Sequence, residues 1–307
     1  MTKEMLRKKR IGVLMGGISP EREISLKTGK AIARALADKG YQTCAIDVDR
    51  TVVERLVREQ IDIAFIALHG PWGEDGTIQG LLELMEIPYT GSGVLGSALA
   101  MNKEAAKTIF SYHQLPTPRF QVFCLQDDVS KITIPVPAVV KPVSGGSTIG
   151  TSVVRADHEF KEALEKAAEY DHAILIEEYV EGSDITVGIL DGEYLPVVEI
   201  VPKSGFYDYE SKYLPGKTEY IVPARLPREV AEKAQEMAVV AYRVLHCSGA
   251  ARVDFLVERT GGLMILEINT VPGLTETSLL PMAAAEAGID FPTLVERMLF
   301  SAQLHIT

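Results

Sequence analysis

Cysteine is scarce in this 307-residue chain, and what there is does not pair: Cys44, Cys124 and Cys247 stand far apart. That excludes a cysteine metal knot and a disulfide framework, and predicts a reducing cytoplasm. Long apolar runs are missing as well. The basic stretch Met1 to Arg10 is followed only by Ile11 to Met15 before Gly16-Gly17, too short for a secretory signal core. No run has the length of a membrane span. Positive charge is in deficit, 31 Lys and Arg against 42 Asp and Glu for a net charge of −11. This speaks against a general nucleic-acid binder. Any anionic ligand must therefore be held by local Lys, Arg and backbone N–H groups. Internal repeats and low-complexity tracts are absent too. What is present is an ordinary soluble composition, 47% hydrophobic and 24% charged. The length exceeds one small core and predicts two or three domains.

The pattern opens as β-α-β. Ile11–Met15 reads as a strand and Gly16-Gly17 as its turn. Ser19 and Pro20 are start signals for a helix reaching about Asp38. Strands follow at 41–48 and 61–68, the second ending at His69-Gly70. This predicts a parallel, doubly wound sheet with ligand loops at the carboxyl ends of its strands. Helices are expected at about 94–100 and 102–113. A small α+β unit comes next: a buried strand at 138–140, the glycine-rich stretch Ser144 to Gly150, a strand at 151–154, a helix at 157–170 and a strand at 173–178. Strands at 184–190 and 194–201, a polar Tyr-rich loop at 205–219, a helix at 228–245 and a final helix at about 292–303 complete the reading.

The most informative stretch lies between those two helices. Gly249 to Val257 and Leu263 to Asn269 both alternate as strands, and Arg259-Thr260-Gly261-Gly262 reads as a hairpin turn. Centring the turn there sets Asp254 opposite Glu267 and Arg252 opposite Asn269. Side chains repeat every second residue, so all four polar groups share one face. The other face, Val253, Phe255, Val257, Met264, Leu266 and Ile268, is assigned to the core. Two carboxylates and an amide oxygen at that density suit Mg²⁺ carrying phosphate oxygens. A solvated face with a cross-strand Arg–Asp pair is the plainer alternative.

Four further stretches carry chemistry. Lys141-Pro142 leads into Gly145-Gly146-Ser147-Thr148, where glycines admit a phosphate chain and successive N–H groups form an anion nest; a flexible hairpin connection would look the same. Glu177-Glu178-Tyr179-Val180 followed by Asp184 offers backbone groups to an adenine edge and a carboxylate to a ribose, or is an acidic turn. Glu21 stands in the first turn of a helix at the ligand-binding rim, where it would hold a substrate ammonium or merely complement the helix dipole. His69 lies on the same rim, as ligand contact or structural histidine. Tyr207 to Tyr213 is a lid or a surface loop.

Taken in order, the blocks GGISPEREIS, ALHGPWGEDGTIQG, PYTGSG, MNKEAAK, VVKP with GGSTIG, LIEEYVEGSD, FYDYESKY, ARVDF, LEINTVPGLTETSLLPM and AAEAGI resemble the D-alanine–D-alanine ligase family of the ATP-grasp superfamily, from Ile11 to about Phe300. The resemblance implies an α/β and α+β chain of three domains, at 1–97 (Rossmann-like), 98–182 (central) and 183–307 (catalytic), with ATP between two antiparallel sheets. It implies phosphate contacts at Lys103 and Lys141, an adenine linker at Glu177, Glu178, Tyr179 and Val180, and a ribose contact at Asp184. It implies Mg²⁺ or Mn²⁺, two ions per site, on Asp254, Glu267 and Asn269. Arg252 and the Gly273 N–H match oxyanion stabilisers. Glu21, Ser147 and Tyr213 match a triad orienting the first D-alanine. His69, Lys212, Ser278 and Leu279 match substrate or phosphate contacts. The chain departs from the family pattern at Gly145, Glu178, Asp184 and Val271, which bears on nucleotide affinity and loop closure.

The resemblance further implies an enzyme of peptidoglycan precursor synthesis, cytoplasmic and homodimeric, taking ATP and D-alanine and contacting neither nucleic acid nor membrane. Its rivals are a ligase for D-lactate or D-serine, a kinase that stops at the acyl phosphate, and an ATP-sensing module without catalysis. The intact lid block at Tyr213 favours D-alanine, and the filled metal positions with Arg252 argue against a sensor.

Overall fold

The computed structural model describes residues 2–124, 126–203, 207, 211, 214, 216–275 and 278–306. Its elements run in three stretches. The first holds α1 (Lys3–Arg7), β1 (Arg10–Gly16), α2 (Arg22–Asp38), β2 (Gln42–Val48), α3 (Val52–Arg58), β3 (Ile63–Ile66) and α4 (Thr77–Leu84). The second holds α5 (Val94–Met101), α6 (Lys103–Tyr112), β4 (Phe120–Cys124), β5 (Ala138–Pro142), β6 (Ser152–Val154), α7 (Phe160–Ala168) and β7 (Ala173–Glu178). The third holds β8 (Gly182–Leu190), β9 (Glu193–Pro202), β10 (Thr218–Ile221), α8 (Arg228–Val244), β11 (Ala250–Glu258), β12 (Leu263–Asn269), α9 (Leu279–Glu286) and α10 (Phe291–Phe300).

Each stretch builds one sheet. β2-β1-β3 is parallel, as the β-α-β pattern predicts, and β1 is buried from Ile11 to Gly16 because it is central and covered on both faces. β4-β7-β5-β6 is antiparallel, as is β10-β9-β8-β11-β12. The cores do not follow the same division. Ile11, Val13 and Phe65 of the parallel sheet share one cluster with Leu280, Leu294 and Leu299 from α9 and α10. The C-terminal helices therefore close one face of the N-terminal sheet. Glu296 of α10 completes that seam, accepting from Tyr41 Oη at 2.7 Å and from Lys39 Nζ at 2.9 Å. No described helix is long and apolar enough to cross a membrane.

Two boundaries differ from the expectation in ways that matter. α2 begins at Arg22, not Pro20, because Ser19 folds a turn ahead of it: its carbonyl accepts from Arg22 N at 3.0 Å and its Oγ from Glu21 N at 3.1 Å. Glu21 thereby becomes the N-cap, and its side chain makes no cap bond. The second difference is a register shift after Asp254: Asp254 pairs with Glu267 but Phe255 pairs with Ile265, leaving Leu266 as an extra residue. The bulge inverts the alternation in β12. Leu263 and Ile265 enter the core, while Met264 and Leu266, assigned to the core from the sequence, do not.

Candidate active site

β5 ends in Lys141 and Pro142 and delivers the glycine-rich loop. Gly145, Ser147, Thr148 and Gly150 all have positive φ, from +55° at Ser147 to +131° at Gly145. Two of these are not glycine, so the loop holds a conformation that L-residues rarely adopt. Such a run turns successive N–H groups toward one side, which suits an anion. Lys103, at the start of α6, donates to the Gly145 carbonyl at 2.6 Å and so pins the loop. Ser147 Oγ donates to Glu21 Oε1, joining the loop to the rim of the parallel sheet.

The second rim loop packs on the first. Gly70 has a φ of +69°, and a Cβ there would lie 2.6 Å from Ser19 Oγ, so only glycine fits. His69 beside it is buried, and burial holds its imidazole below the ordinary value against the pull of the Glu21 carboxylate. The side chain that the sequence reading passed over here is Glu74. It is buried, and its Oε2 accepts from Gly70 N at 2.6 Å. Burial, and next the charge of Glu21, pushes its carboxyl up to about 8. The folded protein then keeps this proton where the unfolded chain has lost it, so stability falls as pH rises from the ordinary glutamate value, about 4.3, to about 8. Glu74→Gln keeps the acceptor and cannot ionise. Its melting temperature should rise relative to the parent's across that window, with the full gap above the upper limit. Parallel melting curves from pH 5.5 to 9 would show that Glu74 does not carry the proton.

The hairpin brings its four polar residues together as the register requires, with Arg252 opposite Asn269 and Asp254 opposite Glu267. Arg252 is half-buried and grips Asp254 with both arms, Nε to Oδ1 at 2.8 Å and Nη2 to Oδ2 at 2.9 Å. Burial opposes its charge, but the Asp254 carboxylate raises it well above its ordinary range. Thr186 of β8, another residue the sequence reading missed, donates to Asp254 Oδ1 at 2.6 Å. Glu267 Oε2 lies 3.5 Å from Lys103 Nζ, and Asn269 Oδ1 accepts from Val271 N at 3.1 Å. Among the described residues no three His, Cys, Asp or Glu side chains form a metal cage. A divalent cation would rest on two carboxylates, the Asn269 amide oxygen and the oxygens of its ligand, a hard donor set that fits Mg²⁺.

After the hairpin, Ser278 Oγ accepts from Thr275 N at 3.0 Å and crowds Gly273, where a Cβ would sit 3.0 Å from it. Leu279 sends its side chain into the core. Contact with a ligand would fall to its backbone.

One cleft runs between the glycine loop and the hairpin. Lys141, Gly146, Thr148, Tyr179 and Val180 line it from the central sheet, and Asp184, Asp254, Leu256, Leu266 and Glu267 from the C-terminal sheet. The bulge is what turns Leu266 into the cleft beside Glu267. Tyr207 closes another wall: its carbonyl accepts from Thr148 Oγ1 at 3.1 Å and its hydroxyl lies 3.2 Å from that of Tyr220. Glu178 Oε1 accepts from Arg119 N at 2.9 Å, which fixes the start of the linker. Glu177, expected in that linker, lines the cleft with it and buries its carboxylate between Lys141 Nζ at 2.5 Å and Lys107 Nζ at 3.0 Å. Lys107 was not singled out from the sequence, although its spacing of four from Lys103 puts both on one helix face. Lys212 and Tyr213 lie outside the described residues.

Comparison with known proteins decides the family. Residues 109–300 match the D-ala D-ala ligase C-terminus model and residues 51–92 the N-terminus model. The chain is 52% identical over 309 residues to the D-alanine–D-alanine ligase of Geotalea uraniireducens, covering 100% of both. It belongs to the D-alanine–D-alanine ligase family. The ligase of Syntrophotalea carbinolica is 51% identical, with 99% of each chain covered. Among solved structures, the Bacillus anthracis D-alanine–D-alanine ligase complexed with ATP superposes with a TM-score of 0.83 at 35% identity, over 95% of this chain and 97% of that one. The ligase from Coxiella burnetii gives 0.82 at 28% identity over 96% and 94%. The fold of this family member is the three-sheet ATP-grasp fold.

Proposed function

We propose that this protein is an ATP-dependent ligase that joins two D-alanines into D-alanyl-D-alanine for peptidoglycan precursors. The observation that carries the reading is that Gly146 and Thr148 of the glycine loop line one cleft with Asp254 of the hairpin, while Ser147 ties that loop to Glu21 of the rim and Arg252 grips Asp254. The sheets support a division at 1–97, 98–182 and 183–307. The enzyme works as a cytoplasmic homodimer.

ATP lies between the two antiparallel sheets, its base beside the linker Glu177, Glu178, Tyr179 and Val180 and beside Leu266, and its ribose beside Asp184. The loop N–H groups, Lys103 and Lys141 take the phosphates. Asp254, Glu267 and Asn269 would hold Mg²⁺ or Mn²⁺, two ions per site, and the metal would supply charge neutralisation at the phosphates. Glu21, steered by Ser147 and flanked by His69, binds the ammonium of the first D-alanine. The carboxylate of that D-alanine attacks the γ-phosphorus, the bond to ADP breaks, and an acyl phosphate forms. The amine of the second D-alanine, held by its carboxylate at Ser278, the Leu279 backbone and Lys212, attacks the acyl carbon. Arg252 and the Gly273 N–H stabilise the oxyanion, and phosphate leaves with the amide formed. Mass spectrometry of the product from ATP, Mg²⁺ and mixed D-alanine and D-lactate tests the reading. D-Alanyl-D-alanine with one phosphate released per dipeptide is expected; hydrolysis without a dipeptide overturns it.

Tyr213 selects the amine. A hydroxyl nucleophile carries no ammonium to recognise, so Tyr213→Phe should raise the share of depsipeptide. Losing one neutral hydrogen bond costs about 0.5–1.5 kcal/mol, so activity persists. A product ratio equal to the parent's at every pH would make Tyr213 a packing residue of the lid.

A further inference from the structure

Helix α6 buries two lysines on one face with Ala106 and Phe110. Lys103 reaches the glycine loop. Lys107, one turn later, is fully buried and does not line the cleft. Its Nζ lies 3.0 Å from Glu177 Oε2, donates to Thr117 Oγ1 at 2.6 Å and stands 5.7 Å from the Phe120 ring. The Thr117 hydroxyl donates in turn to the Ile265 carbonyl at 2.8 Å, and Ile265 N donates to the Pro116 carbonyl at 2.8 Å. Ile265 is the residue just before the bulge that turns Leu266 and Glu267 into the cleft. Lys107 therefore sits where α6, β7 and β12 cross.

Charge explains why a lysine is there. A buried carboxylate paired with one lysine is neutral; paired with two it leaves a net charge of +1. Glu177 is such a carboxylate, 2.5 Å from Lys141 and 3.0 Å from Lys107. Lys141 and Glu177 border the cleft and Lys107 does not, so with Glu177 neutralised from behind the surplus charge is presented at Lys141. Stability alone does not call for this arrangement, since apolar packing commonly serves a core as well as a buried ionic triad does.

We propose that Lys107 is a positioning residue for nucleotide phosphates: it satisfies Glu177 so that the Lys141 ammonium remains available to an anion, and through Thr117 it ties that charge to the hairpin bulge. The inference rests on the ligase reading above, with ATP in this cleft. Its discriminating readout is affinity for ATP relative to adenosine, which lacks phosphates. Lys107→Met should weaken ATP about tenfold relative to adenosine, the scale of one charge-assisted contact, and leave the KM for D-alanine within about twofold. Adding Glu177→Gln to Lys107→Met should restore the ATP-to-adenosine ratio, because Lys141 is again unpaired; the restoration is a coupling that independent packing defects do not produce. Lys107→Arg should keep most of the ratio. A ratio unchanged in Lys107→Met, or a double variant no better than the single one, overturns the proposal. Failure of the ligase reading would appear instead in the parent, as absence of dipeptide.

Discussion

Replacing Arg252 by lysine should lower kcat by about 10²–10³, the loss found when one oxyanion donor is removed, while KM for ATP changes only a few-fold. The substitution keeps the charge and removes the fork. Arg252 commits Nε and Nη2 to the two oxygens of Asp254. Its remaining N–H groups are then aimed by that pair and cannot rotate away. A lysine can reach one Asp254 oxygen, or turn to a ligand, but its single ammonium cannot do both in a fixed plane. The ion pair sharpens the contrast, since the Asp254 carboxylate raises the guanidinium against the opposing effect of burial and it keeps its proton. Steady-state rates with both D-alanine and ATP varied, together with the melting temperature, decide the case. A variant within a few-fold of the parent would confine Arg252 to holding Asp254 in place. A collapse confined to the melting temperature would say the same.

How much of this was legible follows from what one sequence encodes. The pairing of Asp254 with Glu267 is readable from strand period and turn position, and the structure has that pair, although Val257 opposite Leu263 sets the turn one residue off and the bulge at Leu266 restores the register. The bulge at Leu266 is not readable, because an extra residue leaves no mark in a run as apolar as Leu263 to Leu266. Its consequence was a wrong face for Met264 and Leu266. The start of α2 failed for a related reason. Ser19 and Pro20 are sound helix-start signals, but Ser19 also closes a turn on Glu21 and Arg22. That displacement is functional: it spares the Glu21 side chain from capping and aims it at Ser147. α9 escaped because it is apolar on all sides and carries Pro281 in its first turn, so it shows no amphipathic period. Lys107 escaped because a lysine is read as solvated by default. Its place in the stripe Lys103, Ala106, Lys107 and Phe110 is the available clue: a cation at a core position needs a buried anion, and Glu177 is that anion for Lys107.

Glu267→Gln should reduce turnover by about 10²–10³, equivalent to several kcal/mol of lost charge stabilisation, and move the Mg²⁺ requirement to higher concentration. Glutamine keeps the length and one oxygen of the side chain but not its charge, so the packing around it is preserved. Glu267 sits opposite Asp254 on the cleft face, put there by the bulge, with Lys103 Nζ 3.5 Å from its Oε2. Lys103 also holds the Gly145 carbonyl, so Glu267 stands at the junction of hairpin and glycine loop. Two roles are therefore open to its charge: holding a cation with Asp254 and Asn269, or holding Lys103. They separate by titration. A ligand role requires that the Mg²⁺ concentration giving half of the ATP-dependent rise in melting temperature increase in the variant, along with that for activity. A loop-pinning role requires weaker ATP binding at every Mg²⁺ concentration with the midpoint unchanged. An unaltered midpoint in both measurements would remove Glu267 from the metal shell and leave the cation to Asp254 and Asn269.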